Sequence, residues 1–160
     1  MSVLSDRGAS TSETAKSILL EISSTFEMLK VVDLISEQFA QIAGLDEDGA
    51  HCLGVAVREA VANAMKHGNR NDFRKRTHVE YAACVDHAQP RVVVRVRDEG
   101  HGFDMTRLPD PLAPENISVT SGRGIFLMRA LMDDVQVHHL PAGGTEIVLA
   151  KAINRKTPAD

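Results

Sequence analysis

A carboxylate and an amide stand four residues apart near the middle of the chain, in the stretch Glu59-Ala-Val-Ala-Asn63-Ala-Met-Lys-His67-Gly68. On a helix, such a pair shares one face, with the two side chains about 6 Å apart along the axis. Asn63 offers a neutral oxygen to Mg²⁺, which takes few protein ligands when a nucleotide supplies phosphates. Glu59 can accept a proton from an attacking hydroxyl or water. Taken alone, the pair is explained more simply by a solvated helix face, although Asn63 borders the apolar stripe, where an amide needs a partner.

A second polar motif, Asp98-Glu-Gly100-His-Gly102, follows a strand pattern in which Val92, Val94 and Val96 occupy alternate positions. Asp98 has the same parity as those valines, so we expect its side chain to point toward the core layer. A carboxylate in that position needs a donor, and the exocyclic amine of adenine is one. Gly100 and Gly102 would let the backbone approach a flat ring closely. The alternative is an ordinary turn at the end of a strand.

The third motif, Gly122-Arg123-Gly124, precedes an apolar run and is typical of a glycine-rich helix start. Free backbone N–H groups and the helix dipole attract phosphate at such a start, and Arg123 would add positive charge. A capping turn without a ligand explains this motif equally well.

Two further residues join the candidate set on weaker grounds. Thr145 has the parity of Ile147 and Leu149, so its hydroxyl is predicted to face inward and to reach the base near Asp98, directly or through water. The alternative is a simple hairpin turn at Gly143-Gly144-Thr145. His67 lies one turn beyond Asn63, and we include it in the binding set, although a structural hydrogen bond at the helix end explains it better than catalysis.

The elements that must position these residues follow from hydrophobic periodicity and from turn signals. Ser24 with Glu27 predicts a capping box, Gly44 predicts a helix end, and a second helix is predicted from Asp46 to Gly68. The predicted strands cover residues 18–22, 78–85, 91–97, 135–140 and 145–151, and a third helix covers 122–132. Residues 103–121 contain three prolines, and a loop of this length is typical of a lid.

Strands cluster as adjacent pairs in this order of elements. That order favours an α+β fold, a two-layer sandwich whose mixed, mostly antiparallel sheet carries the helices on one face. We expect one domain over residues 17–152, with a flexible lead at 1–16 and a flexible tail at 153–160.

Composition narrows the partners. The chain has 160 residues and a net charge of -4, which argues against nucleic acid as the main ligand, because phosphate neutralisation needs a basic face. The polar N-terminus has no secretory pattern and no apolar run reaches spanning length, which predicts a cytoplasmic protein without a membrane partner. The P-loop, dinucleotide and protein-kinase motifs do not occur.

Together, the three motifs resemble the N, G1 and G2 boxes of the GHKL ATPase superfamily. The likeness is greatest to bacterial anti-sigma factor serine/threonine kinases of the RsbW and SpoIIAB type, because of Asp110-Pro-Leu-Ala-Pro-Glu-Asn116 and Ser121-Gly-Arg-Gly-Ile-Phe-Leu-Met128. The resemblance covers residues 18–151.

This resemblance implies a Bergerat-type fold that binds ATP with Mg²⁺. It implies phosphorylation of a serine or threonine on an anti-anti-sigma (STAS-domain) protein, alternating with capture of a sigma factor, by a homodimer. By position, Glu59 would be the base, Asn63 the magnesium ligand and Asp98 the adenine contact. The glycines at 100, 102, 122 and 124 would shape the base and phosphate contacts, with Thr145 near the base. The alternative is a nucleotide-gated binding protein without kinase activity, whose lid orders on ATP.

Overall fold

The computed structural model describes residues 16–85, 88–100 and 120–154, with only the backbone described at 120–122. Its strands are β1 (Lys16–Ser23), β2 (Arg76–Cys84), β3 (Arg91–Asp98), β4 (Asp134–His139) and β5 (Thr145–Ala152). Its helices are α1 (Leu29–Ala43), α2 (Glu47–Asn63) and α3 (Thr120–Leu131). The predicted elements are therefore present, and strand β1 starts one residue before the expected domain.

The five strands form one sheet in the spatial order β1-β2-β3-β5-β4. All four neighbouring pairs are antiparallel, so the sheet that we expected to be mixed contains only antiparallel pairs among the described strands. Helix α2 packs between α1 and α3, and it also contacts β3 and β5. The α+β fold, with helices on one face of the sheet, is confirmed.

The core lies between the sheet and the helices, and strict alternation along the strands builds it. In β3 the side chains of Val92, Val94, Val96 and Asp98 are buried, while the residues between them are half-buried on the other face. Tyr81 of β2 is fully buried and shares a 2.8 Å hydrogen bond with Ser36. Its ring centroid lies 5.4 Å from that of Phe39 of α1, with the two rings tilted by 46°. Burial raises the pKa of Tyr81 to about 12.

The end of α1 and the start of α2 lie where the sequence predicted them. Gly44 ends α1 in the left-handed conformation, with φ of 92°, and Asp46 caps α2 by accepting a hydrogen bond from the Gly49 N–H at 2.8 Å.

The predicted capping box at Ser24 is wrong. Thr25 precedes a 3₁₀ turn at Phe26–Met28, and no side chain caps it. The Ser24 hydroxyl is instead buried and donates to the Lys75 carbonyl at 2.8 Å. A partner brought close by the tertiary fold has replaced the local one.

The periodicity predicted an α-helix as far as Gly68, but α2 ends as an α-helix at Asn63. After Asn63 the chain widens into a π-turn, Ala64–Gly68, which the Asn69 N–H closes by donating to the Ala64 carbonyl at 2.8 Å. Wide turns of this kind often occur at functional sites. The last residue of this turn, Gly68, lies against Asp98 at the end of β3.

Beyond β5 the chain stays attached to the sheet for one more residue. Ile153, which we expected to begin the tail, is buried, and its N–H donates to the Pro90 carbonyl at 2.9 Å. None of the helices in the described ranges combines the length and apolar character needed to cross a membrane.

Candidate functional site

Asp98 lies at the end of β3 with only 4% of its surface exposed, which confirms the inward orientation predicted from strand parity. Its Oδ1 accepts a hydrogen bond from the Gly100 N–H at 2.9 Å, and its Oδ2 accepts one from the Thr145 N–H at 3.2 Å. Each carboxylate oxygen can accept more than one hydrogen bond. Asp98 is therefore a buried anionic acceptor that two backbone groups hold in place.

Burial raises the pKa of Asp98, because desolvation disfavours the charged form. The hydrogen bonds from the Gly100 and Thr145 N–H groups and the positive charge of Lys75 oppose that rise without cancelling it. Holding Asp98 ionised thus costs the folded chain free energy.

This cost predicts a pH dependence of stability. The folded chain keeps its proton on Asp98 to a higher pH than the unfolded chain, so the unfolding free energy should decrease as pH rises from the ordinary aspartate pKa to the raised one. The decrease is at most about 1.4 kcal/mol per pH unit for one proton, and no further loss follows above the raised pKa. Urea unfolding across acidic pH should show this extra slope in the native chain relative to Asp98→Asn. Parallel curves for the two proteins would contradict the prediction.

Three glycines surround Asp98 and leave no room for side chains. A Cβ at Gly68 would lie 2.2 Å from Asp98 Cγ, and one at Gly144 would lie 2.4 Å from the Asp98 carbonyl oxygen. A Cβ at Gly100 would lie 1.7 Å from the Gly68 carbonyl oxygen. Three backbone segments therefore pack closely against the buried carboxylate of Asp98.

Glu59 and Asn63 form the second part of the site, on the face of α2 that meets α3. A Cβ at Gly124 would lie 3.0 Å from Glu59 Oε2 and 3.1 Å from Asn63 Nδ2. Asn63 is 9% exposed and Glu59 is half-buried. The structure thus brings the first and third motifs together, and the π-turn connects them to Asp98.

The amide oxygen of Asn63 fits Mg²⁺ that takes its other ligands from phosphate and water. It is a neutral, hard oxygen donor of the kind that this ion accepts. In the described part of the chain, no three His, Cys, Asp or Glu side chains are grouped closely enough to hold a metal ion by themselves.

The remaining predicted residues lie around these two parts. His67 is half-buried in the π-turn, and its pKa is lowered by burial and then by the positive charge of Lys66. Thr145 is buried at 2% exposure beside Asp98. Arg123 is exposed on α3, and the backbone of Gly122 belongs to the same helix. Gly102 and the predicted lid lie outside the described residues, apart from residues 120 and 121, which belong to α3.

Sequence reasoning missed two residues of the site. Gly144 was assigned only to the hairpin turn, yet its backbone packs against Asp98. Asn69 was counted as part of a polar turn, yet it is fully buried and hydrogen-bonded to three chain segments. The sequence could have pointed to both residues, because each is adjacent to a residue of a predicted motif. Asn69 directly follows Gly68, and Gly144 directly precedes Thr145.

Comparisons with known proteins identify the family. The family described as the histidine kinase-like ATPase domain matches residues 22–151. The chain is 29% identical over 145 residues to the serine-protein kinase RsbW of Listeria monocytogenes serovar 1/2a, covering 87% of this chain and 88% of the relative. It is 26% identical over 150 residues to the serine-protein kinase RsbW of Bacillus cereus strain AH187, covering 90% and 89%.

A solved structure supports the fold. The crystal structure of the RsbU and RsbW domains of Rv1364c from Mycobacterium tuberculosis matches 85% of this chain with a TM-score of 0.61 and 20% identity. The match spans 32% of that longer chain. The family match over residues 22–151 and the RsbW relatives confirm the resemblance suggested by the three motifs.

Proposed function

This chain belongs to the family of histidine kinase-like ATPase domains, and from that premise we propose that it is an ATP-dependent, Mg²⁺-requiring protein serine/threonine kinase. Its substrate is a serine or threonine of a STAS-domain anti-anti-sigma protein, and it alternates this reaction with sequestration of a sigma factor. It acts as a homodimer in the cytoplasm. The relatives named serine-protein kinase RsbW support this assignment.

The observation that carries the proposal is the buried Asp98 carboxylate between glycine backbones. A buried acceptor with two backbone donors still has lone pairs for a third donor, and the adenine amine is such a donor. A site that merely stabilised the fold would gain more from an apolar residue, because burying a carboxylate costs free energy. The position of Asp98 is therefore best explained by a ligand.

The residues around Gly124 of α3 would bind the phosphates of ATP. Asn63 would hold Mg²⁺, which neutralises charge on the transferring phosphate. Glu59 would accept the proton of the attacking serine or threonine hydroxyl. Backbone N–H groups in the first turn of α3, together with Arg123, would hold the phosphate oxygens. Catalysis of this kind depends chiefly on positioning and on charge stabilisation.

We expect Glu59→Gln to bind ATP as tightly as the native chain and to lose phosphoryl transfer by about 10²- to 10⁴-fold, because it removes only the proton acceptor. The measurement is transfer of labelled phosphate from ATP to a STAS-domain partner, with ATP affinity determined by calorimetry. Glu47→Gln is the matched control, since Glu47 lies exposed in the first turn of the same helix.

A native transfer rate in Glu59→Gln would remove Glu59 from the mechanism. If the native chain bound both ATP and the partner and still transferred no label, the kinase assignment would fall. The nucleotide-gated regulator without kinase activity would then replace it.

A further inference from the structure

A single buried amide, Asn69, joins the chain segments that surround Asp98. Its side chain is fully buried, and its Nδ2 donates to the Ser24 hydroxyl at 2.8 Å and to the Arg76 carbonyl at 2.9 Å. Its Oδ1 accepts a hydrogen bond from the Glu99 N–H at 2.8 Å. One side chain therefore joins the end of β1, the start of β2 and the end of β3.

The backbone of Asn69 is engaged as well. Its N–H closes the π-turn on Ala64, which fixes the position of the preceding residue, Gly68. Gly68 is the residue whose backbone lies against both Asp98 and Gly100. Asn69 thus helps to position both partners of the contact between Gly68 and Asp98. It acts on Gly68 through the bond that closes the π-turn, and on Asp98 through the bond to the adjacent Glu99 N–H.

The bonds around Asn69 are connected into a network. The Ser24 hydroxyl donates to the Lys75 carbonyl and lies 3.2 Å from the Thr77 hydroxyl, which itself lies 3.3 Å from Asn69 Nδ2. Thr77 is fully buried and stands directly opposite Asp98 in the β2–β3 register. Satisfied buried networks of this kind rigidify their surroundings, and the loss of one member leaves the others unpaired.

We propose that Asn69 is a positioning residue that orients the Asp98 carboxylate and thereby sets selectivity for a 6-aminopurine. This inference rests on the proposed contact between Asp98 and adenine. Inosine triphosphate carries a carbonyl oxygen at the 6-position where ATP carries the amine, so it cannot donate to Asp98 from that position. A displaced Asp98 therefore weakens ATP binding and leaves inosine triphosphate binding nearly unchanged.

The test is the ratio of the dissociation constants for inosine triphosphate and ATP, measured by calorimetry on the full chain. In Asn69→Ala we expect this ratio to fall about tenfold, the effect of losing one well-aligned hydrogen bond to a charged group. A purely structural role would weaken both nucleotides equally and leave the ratio at its native value. Ser36→Ala is the matched control, because it removes a buried hydrogen bond between Ser36 of α1 and Tyr81 of β2. It should keep the native ratio.

Ser24→Ala decides the matter if Asn69→Ala does not fold. It removes one branch of the network, and we expect a smaller fall in the same ratio. If folded Asn69→Ala keeps the native ratio of dissociation constants, the inference is wrong and the proposed function stands. If only Ser24→Ala folds, a native ratio in that variant has the same meaning. If the native chain itself fails to distinguish the two nucleotides, the adenine contact of Asp98 is wrong and the inference falls with it.

Discussion

Gly100→Ala should weaken ATP binding severely, because its new methyl group would lie 1.7 Å from the Gly68 carbonyl oxygen. The carbonyl belongs to the backbone and the methyl group is fixed rigidly to it, so neither can rotate away, and Gly68 is itself held against Asp98. Relief therefore requires the strand end and the π-turn to separate. A misfit of this size costs about 3 kcal/mol or more, so we expect ATP affinity to fall at least about a hundredfold. Calorimetric titration with ATP measures the loss, and circular dichroism reports the folded fraction.

Gly54→Ala provides the matched control for that substitution. Gly54 lies within α2, and a Cβ there would meet nothing within 4 Å. The change should leave ATP affinity unaltered and stabilise the chain by about 0.5–1 kcal/mol, because alanine loses less conformational freedom than glycine in a helix. Native ATP affinity in Gly100→Ala would show that the base is bound elsewhere.

We expect Asp98→Ala to remove the increase in thermal stability that ATP gives the native chain. The substitution deletes the proposed acceptor for the base and leaves the Gly100 and Thr145 N–H groups without their shared partner. A hydrogen bond to a charged group contributes about 1.5–3 kcal/mol, which corresponds to a tenfold to hundredfold loss of ATP affinity. Melting curves with increasing ATP separate this binding effect from the lower stability of the variant itself.

Glu99→Ala is the control for Asp98→Ala, because it removes the neighbouring carboxylate with the same change in charge. Glu99 is on the exposed side of the strand end, where it pairs with His78 at 3.1 Å. ATP should still raise its melting temperature. The base contact would be refuted by a native response to ATP in Asp98→Ala.

The inward position of Asp98 and Thr145 could be predicted from the sequence because alternation along a strand is a local property. A residue with the parity of buried neighbours faces the same layer, whatever the rest of the chain does. The end of α1 and the start of α2 were predictable for a similar reason, since Gly44 and the Asp46 cap act within their own helix turns.

The features that failed depend on segments distant in the chain. Ser24 fits a helix cap by pattern, yet its partners Lys75 and Thr77 lie 51 and 53 residues further along. The contact of Gly144 with Asp98 exists only because β5 pairs with β3. The π-turn leaves no mark in the apolar periodicity of α2, because it begins where the periodic stripe ends.

The π-turn also makes one part of the chain much less tolerant of insertions and deletions than another. Removing one residue between positions 64 and 68 would rotate everything beyond it by about 100° around the helix axis, which carries Gly68 and Asn69 away from Asp98. The exposed hairpin tip at Pro141 and Ala142 carries no comparable constraint. Lineages of this chain should therefore accumulate insertions and deletions at the hairpin and keep the five residues after Asn63 at constant length.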